Sequence, residues 1–106
     1  MADNPDDVPQ LTIQTKEDAA GPLICLAGEL DLATAPRVRA AGQAALEGGA
    51  DRIVFDLGGL QFMDSSGLRV LLEIAGDASV SLRDASGAVR RVIESTGVDT
   101  ILKLES

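Results

Sequence analysis

Short apolar runs alternate with longer stretches of helical periodicity along this 106-residue chain, and that alternation constrains the fold more than any other feature. Residues 10–18 alternate apolar and polar side chains, as a half-buried edge strand does. Residues 23–30 (LICLAGEL) form a nearly continuous apolar run, which is typical of a covered strand. We therefore expect these two segments to pair as an initial β-hairpin.

Three helices are predicted between the later strands. They follow Thr34, Asp64 and Ser86, which are residues suited to capping a helix, and each helix ends near a glycine. The remaining strands are predicted at residues 52–57, 79–84 and 100–105, with residues 58–63 (GGLQFM) as a loop. The order β-β-α-β-α-β-α-β predicts an α/β domain in which a mixed, mostly parallel sheet of about five strands carries three helices.

Composition and charge exclude several classes of function. The formal net charge of −8 disfavours direct nucleic-acid binding and contact with anionic lipid. The chain has no His, which removes the commonest general base and the commonest metal ligand, so we expect no metal site and no cofactor. The lone Cys25 is interpreted as a buried strand thiol.

The chain is predicted to form one domain over residues 10–106. Residues 1–9 are acidic and contain two prolines, the reverse of a signal peptide's order, so we expect a disordered tail. No apolar run approaches the roughly 20 residues of a membrane span. These features predict a cytoplasmic protein without membrane insertion.

The segment Asp64-Ser65-Ser66-Gly67 places polar residues immediately before an apolar helix. Asp64 is predicted to cap this helix, which would hold Ser65 exposed on a rigid first turn. A phosphate on Ser65 would meet the unpaired N–H groups that begin a helix. Two interpretations stay open from the residues alone: the segment only caps the helix, or one serine is modified.

The stretches LAGELDLATAPRV, RIVFDL and FMDSSGLRVLL resemble the STAS-domain anti-sigma factor antagonists of bacteria. The resemblance extends over residues 11–104 and implies a single STAS domain. It implies that Ser65 is phosphorylated by an anti-sigma factor that is itself a serine kinase, and that a serine phosphatase reverses this. It also implies that the unphosphorylated form binds the anti-sigma factor and releases a sigma factor.

The same resemblance implies a docking surface in which the GELD segment, residues 28–31, lies near Ser65. The residues expected to bind the partner are Gly28, Glu29, Leu30, Asp31, Asp64, Ser66, Gly67 and Arg69. Arg69 lies four residues after Ser65 on the same helix face, where it either pairs with the phosphate or faces solvent or the partner. The expected state is a monomer or weak dimer.

Two other functions compete with this one. STAS domains also serve as scaffolds in stress-signalling complexes and as subunits of membrane transporters. A hydrolase with Ser65 or Ser66 as its nucleophile would need a general base, and the chain offers no His and only two lysines, Lys16 and Lys103. We therefore expect a protein that is not an enzyme.

Overall fold

The computed structural model describes residues 10–19, 21–98 and 101–105. Its elements in chain order are β1 (Leu11–Asp18), β2 (Gly21–Leu30), α1 (Ala35–Glu47), β3 (Arg52–Met63), α2 (Ser65–Ala75), β4 (Ser79–Arg83), α3 (Gly87–Ser95) and β5 (Lys103–Glu105). This order confirms the predicted α/β fold, and α2 has the predicted bounds. The disordered tail expected over residues 1–9 lies outside the described residues.

The five strands form one mixed sheet in which the strand order follows the chain, β1-β2-β3-β4-β5. β1 pairs antiparallel with β2, which confirms the initial hairpin, and β2 to β5 are mutually parallel. Each parallel pair is joined by a crossover that contains one helix. None of the helices in the described part of the chain has the length and apolar character that a bilayer crossing requires.

The hydrophobic core lies between one face of the sheet and the helices. Ile24, Phe55 and Leu82 stand beside one another in register on three neighbouring strands, and all three are fully buried. They belong to one cluster that also contains the buried side chains of the helices, among them Val38, Leu71, Val89 and Ile93. Burial of this continuous apolar surface holds the two layers together.

The opposite face of the sheet is more polar. Gln14, Cys25 and Asp56 lie side by side there, and each of them is at least partly exposed. The prediction that Cys25 is a buried thiol is therefore wrong: its side chain is half-buried. The residue does lie on a strand, but it points away from the main core.

β3 is longer than the sequence predicts, because residues 58–63 continue the strand instead of forming a loop. The pairing with β2 shifts register between Cys25 and Ala27, and the strand then continues to Met63. A Cβ on Gly59 would lie 2.7 Å from the Cβ of Ala27, so the glycine permits a close approach of the two strands. The segment predicted as a loop thus belongs to an irregular strand.

Gly42 brings α1 and α2 into close contact. It is buried in the middle of α1, and a Cβ at this position would collide with the side chain of Ile74 on α2. We expect Gly42→Ala to lower the free energy of unfolding by about 1–3 kcal/mol, because the added methyl overpacks the helix contact. Urea denaturation measures this loss.

The matched control is Gly87→Ala in the first turn of α3, where nothing lies within 4 Å of an added Cβ. It should leave stability unchanged or slightly raised. Adding Ile74→Val to Gly42→Ala should recover part of the loss, because it removes the methyl nearest the new one. If the two substitutions change the free energy of unfolding additively, the proposed contact between residues 42 and 74 is contradicted.

Candidate functional site

The candidate site lies at the edge of the sheet where the parallel strands end. β3 ends at Met63 and α2 begins at Ser65, while the GELD segment ends β2. The two chain segments are held together by register pairing of Leu30 with Met63 and by the Asp64 N–H, which donates to the Leu30 carbonyl oxygen at 3.2 Å. The predicted proximity of the GELD segment to Ser65 therefore rests on β2–β3 pairing.

Asp64 caps α2, as the sequence predicts. Its backbone is extended, and its Oδ1 accepts hydrogen bonds from the Ser66 N–H at 2.8 Å and the Gly67 N–H at 3.4 Å. The expectation of free first-turn N–H groups for a phosphate is wrong for Ser66 and Gly67, because the Asp64 carboxylate already accepts from both.

The two serines of the first turn differ in exposure. Ser65 is exposed and Ser66 is half-buried. Neither hydroxyl makes a hydrogen bond to any residue in the described ranges. The Ser65 hydroxyl is thus open to solvent.

Gly67 allows α2 to start against the ends of β2 and β3. A Cβ at Gly67 would lie 2.5 Å from Cγ of Leu30 and 3.1 Å from Cγ of Met63, and the glycine is buried. Leu30 is 0% exposed, so its side chain offers no surface to a partner. Leu30 and Gly67 were both expected to bind the partner, but their burial places them in the packing that supports the site.

Asp31 and Thr34 fix the turn that follows the GELD segment. The Asp31 carboxylate accepts from the Ala33 N–H at 3.0 Å and from the Thr34 N–H at 3.1 Å. The Thr34 hydroxyl accepts from the Asp31 N–H at 2.9 Å and donates to the Glu29 carbonyl oxygen at 3.0 Å. Thr34 does not cap α1 with its side chain as predicted, because its hydroxyl turns back to the loop.

Gly28 has a structural role at the start of this segment. Its φ is +110°, and a Cβ there would collide with the carbonyl oxygen of Gln10. The same oxygen accepts a hydrogen bond from the Glu29 N–H at 2.8 Å. Glu29 itself is exposed and pairs in register with Phe62, which is 48% exposed.

A cleft of about 210 Å³ opens beside the two serines, between the first turns of α1 and α2. Leu32, Arg39 and Arg69 line it. Leu32 is 76% exposed, the largest exposed fraction among the large apolar side chains in the described ranges. Sequence patterns did not indicate Leu32, Phe62 or Arg39. An apolar residue directly after GELD was the one available signal, whereas the place of Arg39 depends on helix packing.

The structure thus brings the two predicted segments together. Glu29, Asp31, Asp64, Ser65, Ser66 and Arg69 all lie at this edge with at least part of their surface exposed. Within the described ranges, no group of three or more His, Cys, Asp or Glu side chains is arranged to hold a metal ion. The arrangement can present a free hydroxyl and a mixed apolar and charged surface.

The sequence is similar to a known protein family and to a named bacterial protein. The family model described as "Mlab, STAS domain" matches residues 13–104. The Bordetella bronchiseptica protein BtrV, which is named for anti-sigma factor antagonism, is 35% identical over 89 residues, covering 78% of this chain and 77% of BtrV.

Solved structures share the fold. An anti-sigma factor antagonist from Mycobacterium paratuberculosis superposes with a TM-score of 0.81 at 26% identity, covering 89% of this chain and 84% of that one. The Bacillus protein SpoIIAA in its unphosphorylated form is similar with a TM-score of 0.76 at 24% identity, covering 90% of this chain and 89% of that one. Its phosphorylated form is similar with a TM-score of 0.68 at 24% identity, covering 90% of this chain and 92% of that one.

The hydrogen bonds to Asp64 predict that the α2 cap stabilises the domain. We expect Asp64→Ala to lower the free energy of unfolding by about 1 kcal/mol, because two N–H groups lose their acceptor. Asp64→Asn should cost less, since it keeps an acceptor oxygen. Asp51→Ala, which removes an exposed carboxylate before β3, is the control in the same urea titrations. A loss no greater than that of Asp51→Ala would contradict the capping role.

Proposed function

The chain belongs to the STAS domain family, and from this premise we propose that it is an anti-sigma factor antagonist controlled at Ser65. In its unphosphorylated form it binds an anti-sigma factor that is a serine kinase, and the sigma factor is released. Phosphorylation of Ser65 ends this binding, and a serine phosphatase restores it. The protein acts by binding and is itself no enzyme.

The observation that carries the proposal is the state of the Ser65 hydroxyl. It is exposed, it has no hydrogen-bond partner among the described residues, and it stands on a first turn fixed by Asp64 and Gly67. A kinase needs a hydroxyl that it can reach without unfolding its substrate. The similarity of the fold to both forms of SpoIIAA supports the view that a phosphate can be added without a change of fold.

The proposed docking surface surrounds this hydroxyl. Glu29 and Phe62 lie side by side at the strand ends, and Leu32 is exposed at the edge of the cleft next to Ser65. Large apolar side chains within a polar rim are typical of protein interfaces. Ser66 and Arg69 complete the surface on the α2 side.

A phosphate on Ser65 would disrupt this surface through its charge. It adds about −1.5 to −2 charges at neutral pH, directly beside the Asp64 carboxylate. A partner surface fitted to a neutral hydroxyl would have to desolvate a dianion. A penalty of about 3–4 kcal/mol weakens binding a few hundred-fold or more, which is enough to exchange partners.

The first test combines phosphorylation and binding. Incubation with the organism's anti-sigma factor kinase and Mg-ATP should add one phosphate to Ser65, and Ser65→Ala should remain unmodified while keeping its affinity. Ser65→Asp should bind about tenfold or more weakly by calorimetry. Gln43→Glu, which adds a charge to an exposed position of α1, controls for net charge and should bind normally.

If the Ser65→Ala variant is still phosphorylated, the modified residue is a different one, and Ser66 is the nearest candidate. Equal affinities of Ser65→Asp and the parent chain would contradict the switch. A large homo-assembly in size-exclusion chromatography, without affinity for the anti-sigma factor, would favour a scaffold instead.

The second test concerns the exposed apolar residues. Leu32→Ser should weaken binding to the anti-sigma factor about tenfold, because the side chain would lose its burial in the complex. The matched control is Ile101→Ser: Ile101 is 58% exposed but precedes β5, at the opposite edge of the sheet. Similar losses from both variants, measured by calorimetry, would contradict the placement of the docking surface.

A further inference from the structure

Two arginines line the cleft beside Ser65. Arg39 reaches it from α1 and Arg69 from α2, and both serines line the same cleft. Arg69 lies one helical turn after Ser65, so the two side chains share a helix face. A cationic pair next to a modifiable hydroxyl is unexpected in a chain whose formal net charge is −8.

Arg39 is held by an ion pair that a stronger anion could displace. Its Nε and Nη2 both lie 3.0 Å from the same oxygen, Oε1 of Glu73. Both side chains are nearly half exposed, and ion pairs at such positions contribute little to stability. A guanidinium can donate five hydrogen bonds, so most of its capacity remains unused here.

Arg69 is the less constrained of the two. It is exposed, and it makes no hydrogen bond or ion pair with any residue in the described ranges. Its guanidinium is therefore available to an anion that forms at Ser65.

Two of the backbone donors nearest to Ser65 are already occupied. The N–H groups of Ser66 and Gly67 already donate to the Asp64 carboxylate. That carboxylate belongs to the residue directly before Ser65 and repels an anion there. A phosphate at this position consequently depends on the arginines for compensation of its charge.

We propose that Arg39 and Arg69 form an intramolecular binding site for the phosphate of phosphorylated Ser65, in which Arg39 exchanges Glu73 for the phosphate. The inference rests on the proposed function, since it assigns a role to the modified form. Planar guanidinium groups bind phosphate oxygens in pairs, and a phosphate dianion attracts them more strongly than a single carboxylate does. Phosphorylation then also withdraws the Arg69 cation from the docking surface.

The test uses the intact chain with phosphoserine installed at position 65 during translation. The phosphorus NMR signal is followed against pH to obtain the second pKa of the phosphate, which is about 6 for an unperturbed phosphoserine. Arginine favours the dianion and lowers this pKa, so Arg39→Gln and Arg69→Gln should each raise it, by about half a unit. Glu73→Gln should lower it, because Arg39 loses its competing partner.

Arg91→Gln is the matched control, because Arg91 is an exposed arginine on α3. It should leave the phosphate pKa unchanged. Thermal unfolding of each phosphoprotein verifies that the variants remain folded. A pKa that responds to Arg39→Gln and Arg69→Gln no more than to Arg91→Gln overturns the proposal, and a response to Arg69→Gln alone overturns the two-arginine site.

The experiment separates this inference from the function on which it rests. The phosphate is installed without a kinase, and the titration needs no partner. A chain that its kinase never modifies would contradict the proposed function while the titration could still succeed. A chain that is phosphorylated and loses its partner, yet shows an unresponsive pKa, would contradict only the arginine site.

Discussion

The contact between the start of α2 and the ends of β2 and β3 determines the geometry of the whole site. Gly67 has no side chain, so the helix can approach Leu30 and Met63 to a distance that a Cβ would forbid. The Asp64 N–H bonds to the Leu30 carbonyl oxygen, and the Asp64 carboxylate closes the first turn. Because these bonds and contacts fix the backbone on both sides of Ser65, its hydroxyl remains exposed on a rigid support.

Most of the fold could be predicted from local sequence patterns, because its elements have clear apolar periodicity and clear ends. The bounds of α2 follow from Asp64 and Gly76, which flank a strongly apolar helix. β3 was predicted too short, because a Gly-Gly pair predicts a turn unless the neighbouring strand is known. The role of Thr34 was also mispredicted, since its hydroxyl bonds to the Asp31 N–H and the Glu29 carbonyl oxygen, and the Arg37 N–H donates to the backbone carbonyl of Thr34 instead.

The candidate site could be predicted only in part. Asp64, Ser65 and the GELD segment carry local signals, whereas the cleft depends on the way α1 and α2 pack. Arg39 lies 26 residues before Ser65, and no spacing rule connects them across a strand and two turns. The split between supporting residues such as Leu30 and exposed ones such as Glu29 likewise required knowledge of burial.

The strand order has a consequence for the way the chain folds. Since β1 to β5 lie in the sheet in the order of synthesis, every ladder joins segments that are neighbours along the sequence. Each parallel ladder still pairs residues far apart in sequence, such as Leu23 with Val54, because a helix lies between the strands. The entropy of loop closure rises slowly with loop length, so pairing consecutive strands costs less than pairing more distant ones. The polypeptide can therefore assemble as a sequential winding, in which each new β-α unit is added to an edge that already exists.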